Sequence, residues 1–206
     1  MLGRSASSED ALLARRTKST ARSATPSSSH SIPINDFTNV VPEGMIRLSG
    51  PLEHDNIVNG DGLRAVLWTQ GCPNHCPGCQ NPETWDYEEG FLISIDEVME
   101  RLSKFRGQTG ITFCGGEPFV QPKACKEIAD RVRKEFGWNV WSFSGFTYEQ
   151  IKKAGGDAWE FLKSLDALID GPFILSQKDL SLRYRGSKNQ RLLYLEHKTG
   201  KILKVE

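Results

Sequence analysis

The sequence predicts an α/β fold with a mainly parallel sheet, preceded by a disordered N-terminal tail. Short apolar runs alternate with segments of helical period between residues 63 and 170. Glycine- and proline-rich loops follow several of these runs, as they do where the strands of a parallel sheet hand over to helices. Residues 1–31 carry nine Ser, five Lys or Arg and only two acids, Glu9 and Asp10, with no sustained apolar periodicity. Such a stretch cannot bury enough surface to offset its ordering entropy.

At 206 residues the chain has room for one ordinary domain with an appendage. Lys plus Arg and Asp plus Glu balance at 26 each, so the net charge calls for neither nucleic acid nor an anionic membrane. No run approaches the roughly 18 apolar residues of a membrane span, and no signal peptide is visible. A cytoplasmic setting is expected. The Ser/Arg-rich opening also fits an organelle transit peptide, although a solvated tail, or a true start at Met45, is the preferred reading.

Residues 45–49 and 63–69 read as short strands, with the turn-rich Asn59-Gly60-Asp61-Gly62 between them. Ser94 to Glu97 has the form of a capping box opening a helix over 95–105, with Ile95, Val98, Met99 and Leu102 at helical spacing. A strand at 110–114 leads into the loop Gly115-Gly116-Glu117-Pro118. The spacing of Ala124, Ile128, Val132 and Phe136 then predicts a helix over 122–136, stopped by Gly137. A strand at 139–143 precedes a second capping-box pattern at Thr147 to Gln150, and a helical piece covers 157–165. A strand at 168–170 ends in Gly171-Pro172, and two short strands at 191–196 and 201–205 close the chain. In such folds, sites lie at the carboxyl ends of the strands.

Two loops that carry chemistry fall there. The first holds Cys72, Cys76 and Cys79 in a C-x3-C-x2-C spacing, bent by Pro73, Pro77 and Gly78. Four-iron clusters are usually held by four Cys, and structural zinc by four Cys or His. Three thiolates on a four-iron cluster would leave one iron open to a small molecule. His75 could instead complete a Cys3His zinc site, making the chain a structural or interaction protein. As the immediate neighbour of Cys76, however, its side chain diverges, so the spacing favours the cluster. Cys114 and Cys125 read as free thiols of a reducing compartment, Cys125 without a role at the site and Cys114, next to the Gly-Gly loop, with its side chain packing near whatever is bound there. The second loop is Gly115 to Pro118, where successive glycines let backbone groups approach a ligand closely.

Together these loops resemble the radical S-adenosylmethionine superfamily. Within it the chain is similar to the activases of anaerobic ribonucleoside-triphosphate reductase. Supporting segments are Asn59 to Arg64, Asn81 to Trp85, Asp170 to Phe173 and Arg185 to Arg191, and the likeness spans residues 45–195. Asp61 stands where related activases often have Pro, which leaves an activase of a different glycyl-radical enzyme as the alternative, and Gly78 stands where the wider superfamily usually has an aromatic residue.

The resemblance implies a partial (β/α) barrel over residues 45–206, with residues 1–44 as a disordered extension. It implies a 4Fe-4S cluster held by Cys72, Cys76 and Cys79, with S-adenosylmethionine on the open iron. One electron from a low-potential donor would yield a 5'-deoxyadenosyl radical, which takes hydrogen from a glycine of the reductase. Gly78, Cys79 and Gln80 would line the cofactor, Gly115, Gly116 and Glu117 would cradle its methionine end, and Ser144 and Gly145 would meet the ribose. No catalytic residue beyond these ligands is expected. Asp170 reads equally as a site residue or a turn former, and Arg183, Arg185, Asn189 and Arg191 as partner contacts or loop braces. Trp68, Trp85, Trp138, Trp141 and Trp159 read as core or rim.

Overall fold

The structure, a computed structural model, describes Ile34 and residues 41–206. The expected tail therefore lies outside the described residues, apart from Ile34 and residues 41–44. Ile34 itself is 3% exposed and belongs to the main core. In chain order the elements are β1 Met45–Leu48, β2 Glu53–Asn56, β3 Arg64–Thr69, β4 Phe91–Ser94, α1 Ile95–Leu102, β5 Gly110–Gly115, α2 Pro122–Phe136, β6 Asn139–Phe143, α3 Tyr148–Ala154, α4 Gly156–Leu162, β7 Ala167–Asp170, β8 Arg191–Leu195 and β9 Ile202–Val205.

One sheet takes in all of these strands. At its centre β3, β5, β6 and β7 are parallel neighbours joined through helices, as the alternating pattern predicts. Its flanks are antiparallel. β1 and β2 share the outer edge of β3, β4 extends beyond β1, and β8 and β9 continue from β7. The sequence reading missed β2 and β4. β2 reads Glu-His-Asp-Asn and has no apolar alternation to detect, while β4 is an edge strand whose Phe91 and Leu92 remain exposed.

Alternation along the strands divides the sheet into two faces. Ala65, Leu67, Ile111, Phe113, Val140 and Leu168 point into the main core beneath α1, α2 and α4. Their neighbours Trp141, Ala167, Ile169 and Leu192 form a smaller cluster on the opposite face, packed against Phe143, Tyr184 and Tyr194. Register carries Trp68 and Cys114 onto that second face as direct partners. Deep in it, Arg64 is fully buried. Its guanidinium donates to Thr112 Oγ1 at 2.6 Å, Asn139 Oδ1 at 2.7 Å and the Asp61 carbonyl at 2.9 Å, tying β3, β5 and β6 together.

The helix signals act as the sequence leads one to expect, with one difference. α2 runs between Pro122 and a left-handed Gly137, and Thr147 and Gln150 make a full reciprocal capping box on α3. At α1, Ser94 accepts from the Glu97 N–H at 3.1 Å, but Glu97 turns to Arg101 rather than back to Ser94. Ser94 is already a β4 residue paired with Met45, so its backbone belongs to the sheet. Among the described residues no helix is long and apolar enough to cross a membrane.

Candidate metal centre

At the carboxyl end of β3 the chain turns into the cysteine loop, held from beneath by residues 83–86. The N–H of Gly71 donates to the Thr84 carbonyl at 2.9 Å and that of Cys72 to Trp85 at 3.2 Å. Buried Gln70 reaches the carbonyls of Glu83 and Asp86 at 3.1 and 2.6 Å. The loop then folds so that Cys79 N–H meets the Cys76 carbonyl at 3.0 Å. All three sulfurs line one open cavity of about 630 Å³, within the usual size of a small-molecule site.

Each sulfur faces an N–H donor. Asn74 Nδ2 lies 3.8 Å from Cys72 Sγ, the Asn81 N–H donates to Cys79 Sγ at 3.4 Å, and the Phe173 N–H faces Cys76. Donors of this kind stabilise thiolates. Burial nevertheless pushes the Cys72 thiol up to about 12, helped by the Glu117 carboxylate, and raises Cys76 as well. Sulfurs that are hard to ionise yet surrounded by donors fit a centre whose metal drives off the protons. Among the described residues no three Cys, His, Asp or Glu side chains converge on a single-ion position. His75 is turned away and stacks on Trp85, with ring centroids 4.7 Å apart and an 18° interplanar angle. Cys, Cys and Cys spread around a cavity suit a cluster, in which each thiolate takes its own iron.

The Gly-Gly-Glu-Pro loop, at the end of β5, meets the cysteine loop directly. The Gly116 N–H donates to the Thr69 carbonyl and the Glu117 N–H to the Gly71 carbonyl, both at 2.8 Å. This contact explains the glycine: a Cβ on Gly116 would lie 2.4 Å from the Gly71 oxygen. Glu117 is completely buried. Its Oε1 accepts from the Phe119 N–H at 3.2 Å and Ser144 Oγ at 2.9 Å, and its Oε2 from Asn74 Nδ2 at 3.3 Å and the Gly145 N–H at 2.7 Å. Burial pushes this carboxyl up to about 7, while the four donors favour its charged form. With donors on both oxygens, the carboxylate joins three segments of protein while lining the cavity.

Of the residues expected at the site, Cys72, Cys76, Cys79, Gln80, Gly115, Gly116, Glu117, Ser144 and Gly145 line the cavity together. Gly78 does not. It sits at the exposed turn, where a Cβ would meet Leu175 at 2.9 Å. Asp170 is also outside the cavity wall, fully buried, accepting from the Tyr148 N–H at 2.7 Å and from Arg191 Nε at 2.9 Å. Asn189 and Gln190 are braces, donating to the carbonyls of Pro172 at 2.7 Å and Gly171 at 3.0 Å. Arg183 pairs with Asp61 at the cavity mouth, and Arg185 lies beside it. Trp138 and Trp141 are core, Trp159 packs against it, Trp68 lines the cavity and Trp85 lies under the cysteine loop.

Residues not foreseen are Asn74, which joins Cys72 to Glu117, and the half-buried Phe143 on the cavity wall, which it shares with Cys114, the thiol next to the Gly-Gly loop. For Cys114 and Phe143 the signal was the alternation, which sets them on the same face as Trp68 and Ile169 respectively. Asn74 offered none, because its partner lies 43 residues away.

Residues 58–193 match the family described as a 4Fe-4S single cluster domain. The anaerobic ribonucleoside-triphosphate reductase-activating protein of Escherichia coli (strain K12) is 33% identical over 148 residues, covering 68% of this chain and 94% of that protein. The protein of the same name from Enterobacteria phage T4 is 36% identical over 150 residues, covering 66% of this chain and 87% of that one. A solved structure, QueE from Escherichia coli, is 15% identical with a TM-score of 0.42, over 57% of this chain and 59% of that one. The chain belongs to the anaerobic ribonucleoside-triphosphate reductase-activating proteins, a family built on a 4Fe-4S single cluster domain.

Proposed function

We propose that this chain is a radical S-adenosylmethionine oxidoreductase, the activase that installs a glycyl radical on an anaerobic ribonucleoside-triphosphate reductase. Residues 45–206 are its catalytic domain and residues 1–44 an extension. The observation that carries this reading is the joint between the two loops, where Gly116 and Glu117 donate to Thr69 and Gly71 at 2.8 Å and Glu117 reaches Asn74 at 3.3 Å. A cysteine loop gripped this way has its three sulfurs and the Gly115-Gly116 backbone on one cavity wall.

Cys72, Cys76 and Cys79 would hold the cluster and S-adenosylmethionine would take the position they leave open, with Gln80, Gly115, Gly116, Glu117, Ser144 and Gly145 forming the remaining wall. When bound, these cofactors supply the radical chemistry that takes a hydrogen atom from the partner's glycine, driven by one electron from a low-potential donor. The chain's own residues orient and shield. Glu117 fixes Asn74 and Gly145, so the cysteine loop and the end of β6 cannot move independently. Trp68 and Phe143 give the cavity aromatic lining, and the segment from Gly171 to Gln190, braced by Asn189 and Gln190, forms its far wall. Ile57, Val58 and Leu180, between 65% and 79% exposed, ring the mouth with Arg183 and Arg185 and face the docking reductase.

An anaerobic assay with purified reductase, S-adenosylmethionine and a chemical reductant tests the reading. A glycyl-radical electron paramagnetic resonance signal on the reductase, dependent on this chain, is expected. A reductase that stays silent while a known activase lights it up sinks the assignment.

A further inference from the structure

The parallel centre of the sheet has two sides, and chain from each side meets at the cavity. From the β3 side comes the loop 57–62, and from the side of β7 and β8 the segment 173–190. Among the described residues, the hydrogen bonds that join these two stretches are those of one carboxylate. Asp61 Oδ1 accepts from Arg183 Nη2 and from Tyr184 Oη, the latter at 2.9 Å. Arg183 also lies over the Tyr184 ring, 5.0 Å from its centroid, and that ring meets Trp141 edge-on at 5.5 Å. Asn59, Arg183 and Tyr184 line the cavity, so the contact forms part of its mouth.

The two stretches are held unequally. The Asp61 carbonyl accepts from buried Arg64 at 2.9 Å and that of Asn59 from Thr112 Oγ1 at 2.8 Å, and a Cβ on Gly60 would lie 2.7 Å from Trp141. The loop is thereby fixed to the sheet. Segment 173–190 is tied at its base by Ser187, Asn189 and Gln190, whereas Leu180, near its tip, is 79% exposed. Tyr184 in that segment has φ 59°, in the left-handed region where a bulky residue is held only by its surroundings. Those surroundings include Asp61 and Trp141, so moving away from them lets the backbone relax. The ion pair itself is weak: the Arg183 and Asp61 side chains are 53% and 43% exposed, and pairs so placed add little. A contact that is specific, marginal and strained suits one that opens and closes.

We propose that Asp61, Arg183 and Tyr184 form a latch across the cavity mouth, and that the partner's glycine-bearing segment enters after the latch has opened. The identity of the partner rests on the function proposed above, whereas the latch rests on the contacts just described. With docking restricted to the open form, a closed latch lowers the apparent affinity in proportion to the fraction open. Breaking it therefore tightens partner binding, and the gain falls in the association rate. A residue that merely braced the wall, or that touched the partner directly, would weaken binding when removed. The sign of the change separates these roles.

The test measures the association rate and Kd of purified reductase for the full chain, reconstituted anaerobically with iron and sulfide, beside Asp61→Ala and Tyr184→Phe. Asp61→Ala removes both bonds and is expected to bind about fivefold tighter. Tyr184→Phe removes one bond, leaves Arg183 paired and is expected to gain about twofold, a gain that cannot come from freeing Arg183 for the partner. Both variants should unfold within about 3 °C of the wild type. Weaker or unchanged binding in both overturns the latch, as does a midpoint that falls much further in both, which would make the contact a structural brace. Tightening in Asp61→Ala alone overturns it too, since that gain traces to the freed arginine. A wild type that binds the reductase and raises no glycyl radical overturns the proposed function, while the sign of the two shifts still decides the latch. A wild type that binds no reductase overturns both that function and the entry of this partner.

Discussion

Glu117 shows how one residue converts two sequence motifs into one site. Its carboxylate satisfies donors from the cysteine loop, from its own loop and from the end of β6. A carboxylate accepts at both oxygens, whereas an amide must present an NH2 group on one side. Glu117→Gln therefore sets that NH2 against two existing donors, whichever way the amide turns. We expect a loss of roughly 2–4 kcal/mol, read by urea unfolding of the metal-free protein, with cluster retention falling alongside. An unchanged unfolding midpoint would contradict the donor arrangement. At this scale the three cysteines are legible from their spacing alone, since the ligating chemistry is in the side chain. The parts played by Asn74 and Glu117 are not, because each depends on a contact across the fold.

Elements are legible where their ends are marked by local chemistry. Pro122 and Gly137 bound α2, and the Thr147–Gln150 pair opens α3. β2 has no such mark: four polar residues become a strand only because β3 offers them an edge. Glycines separate into two kinds at this scale. Gly137 is a helix cap with φ 70° and nothing within 4 Å of an added Cβ, whereas Gly116 is where the β5 loop touches the cysteine loop. Gly137→Ala should cost about 1 kcal/mol in thermal unfolding and leave iron content unchanged. Gly116→Ala should push the two loops apart, costing most of the bound iron and sulfide. Equal iron content in both variants would show that the joint does not hold the site.

Across the whole molecule, the sheet places its site by alternation. Helices cover one face, so the other is free to hold Trp68, Cys114 and Phe143 toward the cavity, with both loops at the carboxyl ends of β3 and β5. The parallel centre could be read from the sequence because its strands alternate with helices of clear period. The antiparallel flanks could not, because edge strands such as β2 and β4 are short, polar or half-exposed and carry little pattern of their own. On the proposed reading, three thiols and a gripped loop would leave one iron of the cluster for S-adenosylmethionine. That reading is tested most directly by electron paramagnetic resonance of the anaerobically reconstituted, reduced protein, recorded with and without S-adenosylmethionine. A reduced-cluster signal that changes on adding the cofactor and is missing from Cys76→Ala is expected. A signal indifferent to the cofactor, or a protein that binds zinc and no iron, would contradict it.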